Sequence, residues 1–316
     1  MRRGRRIATA GVLLASALAA AGCGIGAGEA SEGTATLTIT RDYGSESLHE
    51  ATVSDPAESE TVIRFLDREA EITTRHGDNF VQSIDGLAGR LGDGSRFDWF
   101  FYVNGYWSPI GAGEAEVHAG DRIWWDYREW SAAYTVPAVV GSFPEPFLNG
   151  YGGERFDVVV ECEIEPADAC ERVEGVLRDE GVELRSAAAT QAADADVLRV
   201  LVGPFGRLAD DPAAKLLAAG PTTSGIFASI EIDRHGGYAL FPAGVDGELR
   251  AGEQDRAGLI AATRVGDEQP TWLVTGVDRS GAEAAAEIFD AEHLRDRFAV
   301  AVIDGEVVPL PIEAGS

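Results

Sequence analysis

The first half of this chain contains two aromatic stretches, FDWFFYVNGYW at residues 97–107 and HAGDRIWWDYREW at residues 118–130, which predict the core strands of a sheet. They hold eleven of its 26 aromatic residues, and each contains a strand-forming run bounded by turn residues. Because alternate residues of a strand face opposite sides of a sheet, the second stretch should divide into two groups: Ile123, Trp125 and Tyr127 on one face, and Trp124, Asp126 and Arg128 on the other. With one buried face in the sheet, one of the two adjacent tryptophans must leave the core.

The residues before these stretches predict a hairpin and one helix. Threonines alternate with apolar residues over 34–40, which is the period of a half-buried strand, and a second extended segment covers about 48–53. Ser54-Asp55-Pro56 is typical of a helix start, and the helix should end near Arg68, with acidic residues such as Glu60 in its first turn. Further strands are expected at 80–84, 97–103 and 121–127. A sheet with one helix across one face is the outline of a β-grasp domain.

Four segments then support a resemblance to a known family. They are residues 78–87, 99–105, 111–113 and 118–124, and in this order they are similar to the successive signatures of the transcobalamin-like C-terminal domain, known in bacteria as DUF4430. The resemblance covers about residues 35–130 and implies a β-grasp fold. In transcobalamin and intrinsic factor, this domain closes over a cobalamin held by a helical barrel domain, and an aromatic turn touches the corrinoid. This sequence has nothing like that barrel, so the resemblance implies the fold first and a corrinoid as one candidate ligand.

The N-terminus carries an export signal. Four arginines precede an apolar run over residues 7–21, and the small pair Ala21-Gly22 stands directly before Cys23. This order is typical of a bacterial lipoprotein signal, which predicts a signal peptide over 1–22 and a lipidated Cys23 at the mature N-terminus. The glycine-rich residues 23–33 then form a linker. An ordinary secretory peptide is the alternative; the lipoprotein interpretation tethers the chain to the extracytoplasmic side of the cell membrane.

Composition divides the exported part into two domains. Residues 34–131 form the β-grasp domain, residues 132–154 are rich in proline and glycine and predict a connection or an irregular lead-in, and residues 155–316 form a second domain. In the second domain strands alternate with helices, and continuous apolar runs such as 158–160 and 272–274 indicate strands that are covered on both faces. These patterns predict a separate α/β or α+β domain, and the whole chain is expected to belong to the α+β class.

Two cysteines remain in the second domain, Cys162 and Cys170. An oxidising compartment makes a disulfide between them the default. A metal site is the alternative, but no histidine lies nearby and two thiolates do not complete a tetrahedral zinc shell. The disulfide would join the end of one strand to the start of the next helix.

Charge and motifs argue against several functions. The formal net charge is -27, and it becomes -31 once the four signal arginines are removed, so nucleic acids and anionic lipid surfaces are disfavoured as partners. The five histidines are scattered and predict neither a metal site nor a base–nucleophile pair. The segment 220–225 lacks the lysine of a phosphate-binding loop and is interpreted as a turn, and Asp211 and Asp278 as helix caps. We predict no catalytic motif and no cofactor, and the chain is not expected to be an enzyme.

The aromatic band provides the candidate site. Rings that follow Asn104-Gly105 in a turn should be exposed, and exposed rings are costly to keep without a ligand. We therefore expect a ligand-binding site at five residues: Tyr106, Trp107, Pro109, Ile110 and Trp124. The first hypothesis is a membrane-anchored lipoprotein that binds a small or extended ligand, with a corrinoid as one candidate. The alternative is a structural or adhesive envelope protein that binds glycan or a protein partner, and an exported hydrolase is a third hypothesis.

Overall fold

The structure is a computed structural model that describes residues 32–57, 59–75, 79–92, 94–186, 196–250 and 256–313. The predicted signal peptide and lipidated Cys23 lie outside the described residues, as does most of the linker. The described chain mixes strands with helices and contains several separate sheets, which confirms the predicted α+β class. Within these ranges, no helix has the length and apolar character needed to cross a membrane.

The first domain is a mixed sheet with one short helix. Its elements are β1 (Thr34–Arg41), β2 (Glu46–Ser54), α1 (Val62–Asp67), β3 (Ile72–Arg75), β4 (Phe80–Ile84), β5 (Leu87–Ala88), β6 (Arg90–Gly92), β7 (Ser95–Val103), β8 (Tyr106–Trp107) and β9 (Arg122–Glu129). The main sheet has the order β2-β1-β9-β7-β6, with β8 paired to β7. Strands β1 and β9 run parallel, and the other pairs in this sheet are antiparallel. A parallel pair of first and last strands needs a crossover, which the segment carrying α1 provides, as in a β-grasp.

Helix α1 begins later than the sequence predicts. Ser54 is still part of the β1–β2 hairpin, and Asp55 follows it with a left-handed φ of 53°. The backbone therefore stays extended or turned up to Thr61, the residue before the helix. Glu60, expected in the first helical turn, lies buried before the helix and accepts two hydrogen bonds from Arg68.

Both faces of the main sheet are buried around the adjacent tryptophans. The inner face packs on α1 and contains Trp125, whereas the outer face contains Trp124, as strand alternation predicts. Both indoles are only 2% exposed. The prediction that one tryptophan leaves the core is therefore wrong, because the second domain covers the outer face at Trp124.

The second domain is a seven-stranded sheet covered on both faces. Its elements are β10 (Asp157–Cys162), α2 (Asp168–Asp179), β11 (Leu184–Arg185), β12 (Val197–Pro204), α3 (Phe205–Leu208), α4 (Pro212–Ala218), α5 (Pro221–Ser224), β13 (Ala228–Ile232), β14 (Tyr238–Pro242), β15 (Ala257–Thr263), β16 (Thr271–Gly276), α6 (Arg279–Glu287), α7 (Ala291–Leu294), β17 (Ala299–Ile303) and β18 (Glu306–Leu310). The sheet order is β11-β10-β12-β16-β15-β17-β18, in which the first four strands run parallel and the later pairs antiparallel. Helices α2 and α6 cover one face, while α3, α4 and the β13–β14 hairpin cover the other beside the first domain.

Several local predictions about the second domain are confirmed. Cys162 and Cys170 form a disulfide that joins the end of β10 to the first turn of α2. Asp211 and Asp278 cap α4 and α6, and each carboxylate accepts a hydrogen bond from a backbone amide at 2.8 Å. The segment 220–225 is not the simple turn that the sequence predicts, because Pro221–Ser224 form the one-turn helix α5.

The proline- and glycine-rich connection, residues 132–154, is a packed part of the structure. It consists of turns and isolated bridges, yet Val140 and Phe143 are almost completely buried in the core of the second domain. From the first domain, Arg122 donates a hydrogen bond to the Phe143 carbonyl at 2.6 Å. The connection therefore fastens the two domains to each other.

Candidate ligand-binding surface

The fold does not bring the five residues of the predicted site together. Tyr106 and Trp124 are buried, Trp107 is partly exposed, and Pro109 and Ile110 are exposed. Tyr106 and Trp107 are neighbours on β8 and face opposite sides of it, so each packs against a different core. The five residues of the predicted site therefore lie in three different environments.

Trp124 is enclosed by the second domain. The centroid of its ring lies 5.2 Å from that of Phe298 and 5.7 Å from that of Tyr102. Its Nε1 donates a hydrogen bond to Thr40 Oγ1 at 2.8 Å. The indole is therefore satisfied within the protein and is not accessible to a ligand. The sequence pattern placed it on the outer face correctly but does not show that a second domain covers that face.

Tyr106 is buried by the connection. It forms a bridge with Ala138, and its ring stacks on Tyr151 with 4.8 Å between centroids. Its hydroxyl donates a hydrogen bond to Gln269 Oε1 at 2.8 Å, and burial raises the pKa of the phenol. The connection, residues 132–154, therefore buries Tyr106.

Pro109 and Ile110 remain exposed but have different neighbours from Trp107. Ile110 is 46% exposed, and its carbonyl accepts a hydrogen bond from Ser108 Oγ at 3.0 Å. The next residue, Gly111, lies against Asn79 at the start of β4. This end of the turn therefore faces the β3–β4 hairpin.

Trp107 belongs to a cluster of rings that remains accessible. We call Trp107, Trp130 and Tyr134 the aromatic surface. Tyr134 is 56% exposed, and its ring stands edge-on to Trp107 at 6.2 Å and to Trp130 at 5.3 Å between centroids. Trp107 and Trp130 are partly exposed, and the buried ring of Phe100 lies 6.0 Å from that of Tyr134. Three rings therefore share one accessible patch.

Strand pairing places this patch on the outer face of the main sheet. Strands β7 and β9 pair Phe100 with Asp126 and Tyr102 with Trp124, and β8 pairs Trp107 with Tyr102. Directly paired residues point to the same side of a sheet. The aromatic surface and the buried Trp124 therefore share one face, and the second domain covers one part of it and leaves the other part open.

Arg128 holds the loop that carries Tyr134. Its side chain is fully buried and donates hydrogen bonds to the carbonyls of Ala133 at 2.9 Å and Tyr134 at 3.3 Å. The guanidinium also lies 4.0 Å from the ring centroid of Phe100. A planar guanidinium can donate along its edge and stack through its face at the same time. Arg128 therefore acts as a positioning residue for Tyr134.

Asp126 supplies the opposite charge two residues earlier on β9. Its carboxylate is buried and accepts hydrogen bonds from Thr40 Oγ1 at 2.6 Å, the Gly44 amide at 3.0 Å and the Tyr43 amide at 3.1 Å. Burial raises the pKa of Asp126 to about 6, although these hydrogen bonds and the charge of Arg128 oppose the increase. At neutral pH the group is mainly ionised, and it fastens the β1–β2 turn as Arg128 fastens the Tyr134 loop.

An exposed cation borders the aromatic surface. The guanidinium of Arg96 lies 5.1 Å from the ring centroid of Trp130, within the range of a cation–π contact. The two residues are also joined through the backbone, since the Trp130 amide donates to the Arg96 carbonyl at 2.9 Å. The carboxylate of Glu129 accepts a hydrogen bond from the Arg96 backbone amide at 3.2 Å. The patch therefore combines ring faces with both signs of charge.

Comparison with known proteins identifies part of the first domain. Residues 59–129 match DUF4430, a domain of unknown function. This match confirms the DUF4430 resemblance from α1 to β9. No curated protein matches the chain. One similar solved structure is that of a candidate metal-binding protein from Ruminococcus gnavus ATCC 29149; it has 16% identity, covers 31% of this chain and 99% of that chain, and gives a TM-score of 0.25.

Across the described ranges, no group of three or more His, Cys, Asp and Glu side chains is arranged to hold a metal ion. The described aromatic surface offers ring faces and the bordering groups of Arg96 and Glu129.

The aromatic surface lies at the border of the DUF4430 match. Trp107 is inside the matched residues, whereas Trp130 and Tyr134 follow them. Sequence reasoning missed Tyr134 because it falls in the segment interpreted as a connection. The available signal was its position four residues after Trp130, just beyond the last strand. Such a patch can stack a flat or ring-shaped ligand and hydrogen-bond to its polar rim.

Proposed function

We propose that this protein is an exported, lipid-anchored binding protein whose ligand stacks on the aromatic surface. The lipoprotein signal before Cys23 supports the location. The observation that carries the site is Tyr134, which is 56% exposed although buried Arg128 binds its carbonyl. Anchored on the extracytoplasmic side of the membrane, the aromatic surface would meet extracellular molecules.

Tyr134 has an exposed ring on a loop whose backbone is held in place, and this favours a binding role for the loop over a purely structural one. Desolvating a guanidinium is costly unless its hydrogen bonds are replaced. Here two of those bonds hold a short loop, residues 131–136, in which the largest side chain, Tyr134, faces solvent. A structural role for the loop would not require its ring to be accessible, whereas a preorganised binding surface would.

A glycan is the ligand class that fits the aromatic surface best. Sugar rings have apolar faces that pack on aromatic side chains, and hydroxyl rims that hydrogen-bond to neighbouring polar groups. Arg96 and Glu129 lie beside Trp130 and can supply such hydrogen bonds. An open patch also accommodates an extended polymer, which is the form of glycans in a cell envelope.

A corrinoid is the second candidate, because of the transcobalamin-like resemblance of the first domain. In transcobalamin and intrinsic factor the corrinoid is also held by a helical barrel, whereas the second domain here is built on a seven-stranded sheet. Tyr106, one of the two rings in the corresponding turn, is buried. Because of these two differences, we favour a glycan over a corrinoid as the ligand.

Titration of the soluble protein tests the proposal. Residues 34–316 would be titrated with cell-wall oligosaccharides and, separately, with cyanocobalamin, with tryptophan emission and calorimetry as readouts. We expect saturable binding of the oligosaccharides, and a loss of affinity of about tenfold or more in Tyr134→Ala, because one exposed stacking ring is removed. Phe80→Ala is the matched control, since Phe80 is an aromatic residue of the same domain that is 38% exposed.

The possible outcomes separate the candidates. Binding of oligosaccharide that Tyr134→Ala weakens and Phe80→Ala does not would support the glycan proposal. Saturable binding of cyanocobalamin alone, with the same dependence on Tyr134, would support the corrinoid. Equal affinities in Tyr134→Ala and the unmodified protein would exclude the aromatic surface as the site of either ligand.

The anchor is tested separately from the ligand. In the full-length chain, Cys23→Ala should carry no lipid and should keep its signal peptide, because processing of a lipoprotein signal requires the modified cysteine. Mass spectrometry of the mature N-terminus should find a lipid on Cys23 of the unmodified protein. An unmodified protein whose mature N-terminus is not Cys23, or whose Cys23 has no lipid, would contradict the anchor.

A further inference from the structure

A cavity of about 600 Å³ lies where the β1–β2 turn of the first domain meets the last strand of the second. Asp42, Tyr43 and Ser45 line it from the first domain. Its size is within the range of about 300–1,000 Å³ that is common for small-molecule sites, which often lie between domains. The aromatic surface does not contribute to this cavity, so it is a separate feature of the molecule.

The second domain gives the cavity a largely apolar wall. Leu310 and Ile312 are buried at its base, and Val245 and Val308 are partly exposed to it. Burial of hydrocarbon against such a wall is favourable by roughly 25 cal/mol for each Å² removed from water. The wall therefore suits the apolar part of a small ligand.

One cation stands beside this apolar wall. Arg297 is partly exposed and is the only basic residue among the described residues that line the cavity. The charge of Arg297 interacts with the neighbouring carboxylate of Asp296, and the acidic residues of the cavity lining are Asp42 and Glu313. The acidic Asp42 on the opposite side is already within 3.7 Å of Arg41. Among the described lining residues, Arg297 is therefore the group that can pair with an anionic ligand, and a guanidinium matches a carboxylate through two parallel hydrogen bonds.

The wall from the first domain is preorganised. Asp42 and Tyr43 both have left-handed φ values, 53° and 61°, and the buried carboxylate of Asp126 holds the turn through its amides. Gly44 follows with φ of 77°, and a Cβ there would lie 1.8 Å from the carbonyl oxygen of Asp296. The turn is therefore fixed against the second domain, so a ligand would not have to order it.

We propose that this cavity binds a small molecule with an apolar chain and a carboxylate, and that the carboxylate pairs with Arg297. A peptide strand added to the edge strand β18 is less favoured, because Pro309 in that strand has no amide to donate. The apolar wall receives the chain, and the guanidinium selects the acid over neutral molecules of the same shape.

Calorimetry with octanoate and octanamide tests this proposal, because the two probes differ in charge but hardly in size. For the chain from residue 34 onward, octanoate should bind saturably and octanamide about tenfold more weakly or less well. Arg297→Gln should bind the two probes equally. Arg295→Gln is the matched control, since Arg295 is an exposed neighbour that does not line the cavity, and it should keep the preference for octanoate.

A second variant removes the space without removing the charge. Val308→Trp should fill the cavity and abolish binding of both probes, while cooperative thermal unfolding shows that the variant is folded. The proposal is overturned if neither probe binds to the unmodified protein, if octanamide binds as tightly as octanoate, or if Arg297→Gln retains the preference.

Discussion

Two parts of the same sheet face differ in what covers them. Around Tyr102 and Trp124 the outer face of the β-grasp sheet is sealed by Phe298 and neighbouring residues of the second domain. Around Trp107 and Trp130 the same face is covered by one loop, whose ring, Tyr134, stays accessible. We call these the covered part and the open part. The comparison shows that aromatic content alone does not distinguish core from binding surface; the packing partner does.

Two buried charges on β9 connect the covered part to the open part. Asp126 binds the β1–β2 turn, which contacts the second domain, and Arg128 binds the carbonyls of the Tyr134 loop. Each charge is fully buried, and each would be costly there without the other and without its hydrogen bonds. The same pair thus stabilises the domain contact and positions the open ring.

The largest expected effect is on stability when a ring is removed from the covered part. Trp124→Ala should lower the free energy of unfolding by about 3–5 kcal/mol, the usual cost of deleting a large ring from a packed core. Tyr134→Ala in the open part should change it by less than about 1 kcal/mol. Chemical denaturation of both variants measures the difference. Similar losses of unfolding free energy in the two variants would show that the covered and open parts do not differ in packing.

A second effect concerns pH and the covered part. The pKa of Asp126 in the folded protein, about 6, lies above the ordinary value of 3.8, so the folded state binds the proton more tightly than the unfolded state. The contribution of this group to the free energy of unfolding therefore falls by up to roughly 3 kcal/mol as the pH rises from about 4 to about 6. Above about pH 6 it stays at this lower value. Asp126→Asn should remove this dependence.

Denaturation of both proteins at pH 4, 5, 6 and 7 measures the pH effect. The stability of Asp126→Asn relative to the unmodified protein should rise across this interval, because the variant has no carboxylate to ionise. Thr40→Val, which removes one hydrogen-bond donor to Asp126, should shift the transition to higher pH. Parallel stability curves for Asp126→Asn and the unmodified protein would show that Asp126 does not titrate here.

A third effect concerns the open part. Arg128→Lys keeps a positive charge beside Asp126 but cannot donate to two carbonyls while stacking on Phe100. The Tyr134 loop should lose its fixed position, and affinity for cell-wall oligosaccharide should fall by about tenfold. Ligand titration alongside unfolding curves separates this loss from general destabilisation. Unchanged affinity would show that Arg128 does not position the ring.

The smallest effect is expected when the ring of Tyr134 is kept and its hydroxyl removed. Tyr134→Phe preserves the stacking face, so affinity should stay within about twofold of the unmodified protein. A loss as large as that of Tyr134→Ala, measured by the same titration, would mean that the hydroxyl and not the ring face holds the ligand.

Sequence reasoning recovered the parts of this structure that depend on local patterns. Strand alternation placed Trp124 and Trp125 on opposite faces, and the spacing of Cys162 and Cys170 in an exported chain predicted the disulfide. The predicted start of α1 is wrong because strand β2 of the hairpin extends to Ser54. Local patterns carry no information about which residues a distant segment covers, and this is why Tyr106 and Trp124 were expected at the surface.

The candidate site was less predictable because it is made by contacts between distant residues. Trp107 lies in the predicted turn, but its partner Tyr134 comes from the segment interpreted as a connection. The role of Arg128 could not be inferred either, since strand alternation gives its face but not its hydrogen-bond partners. The interdomain cavity joins residues near position 43 with residues near position 310, which no local pattern relates.

The indole N–H signals of the protein distinguish the open part of the sheet face from the covered part. The chain has six tryptophans, so a nitrogen–proton spectrum should show six indole signals, which single substitutions would assign. On addition of cell-wall oligosaccharide, we expect the signals of Trp107 and Trp130 to shift while that of Trp124 stays in place. A ligand that shifts the Trp124 signal and leaves those of Trp107 and Trp130 unchanged would show that the open part is not the binding site.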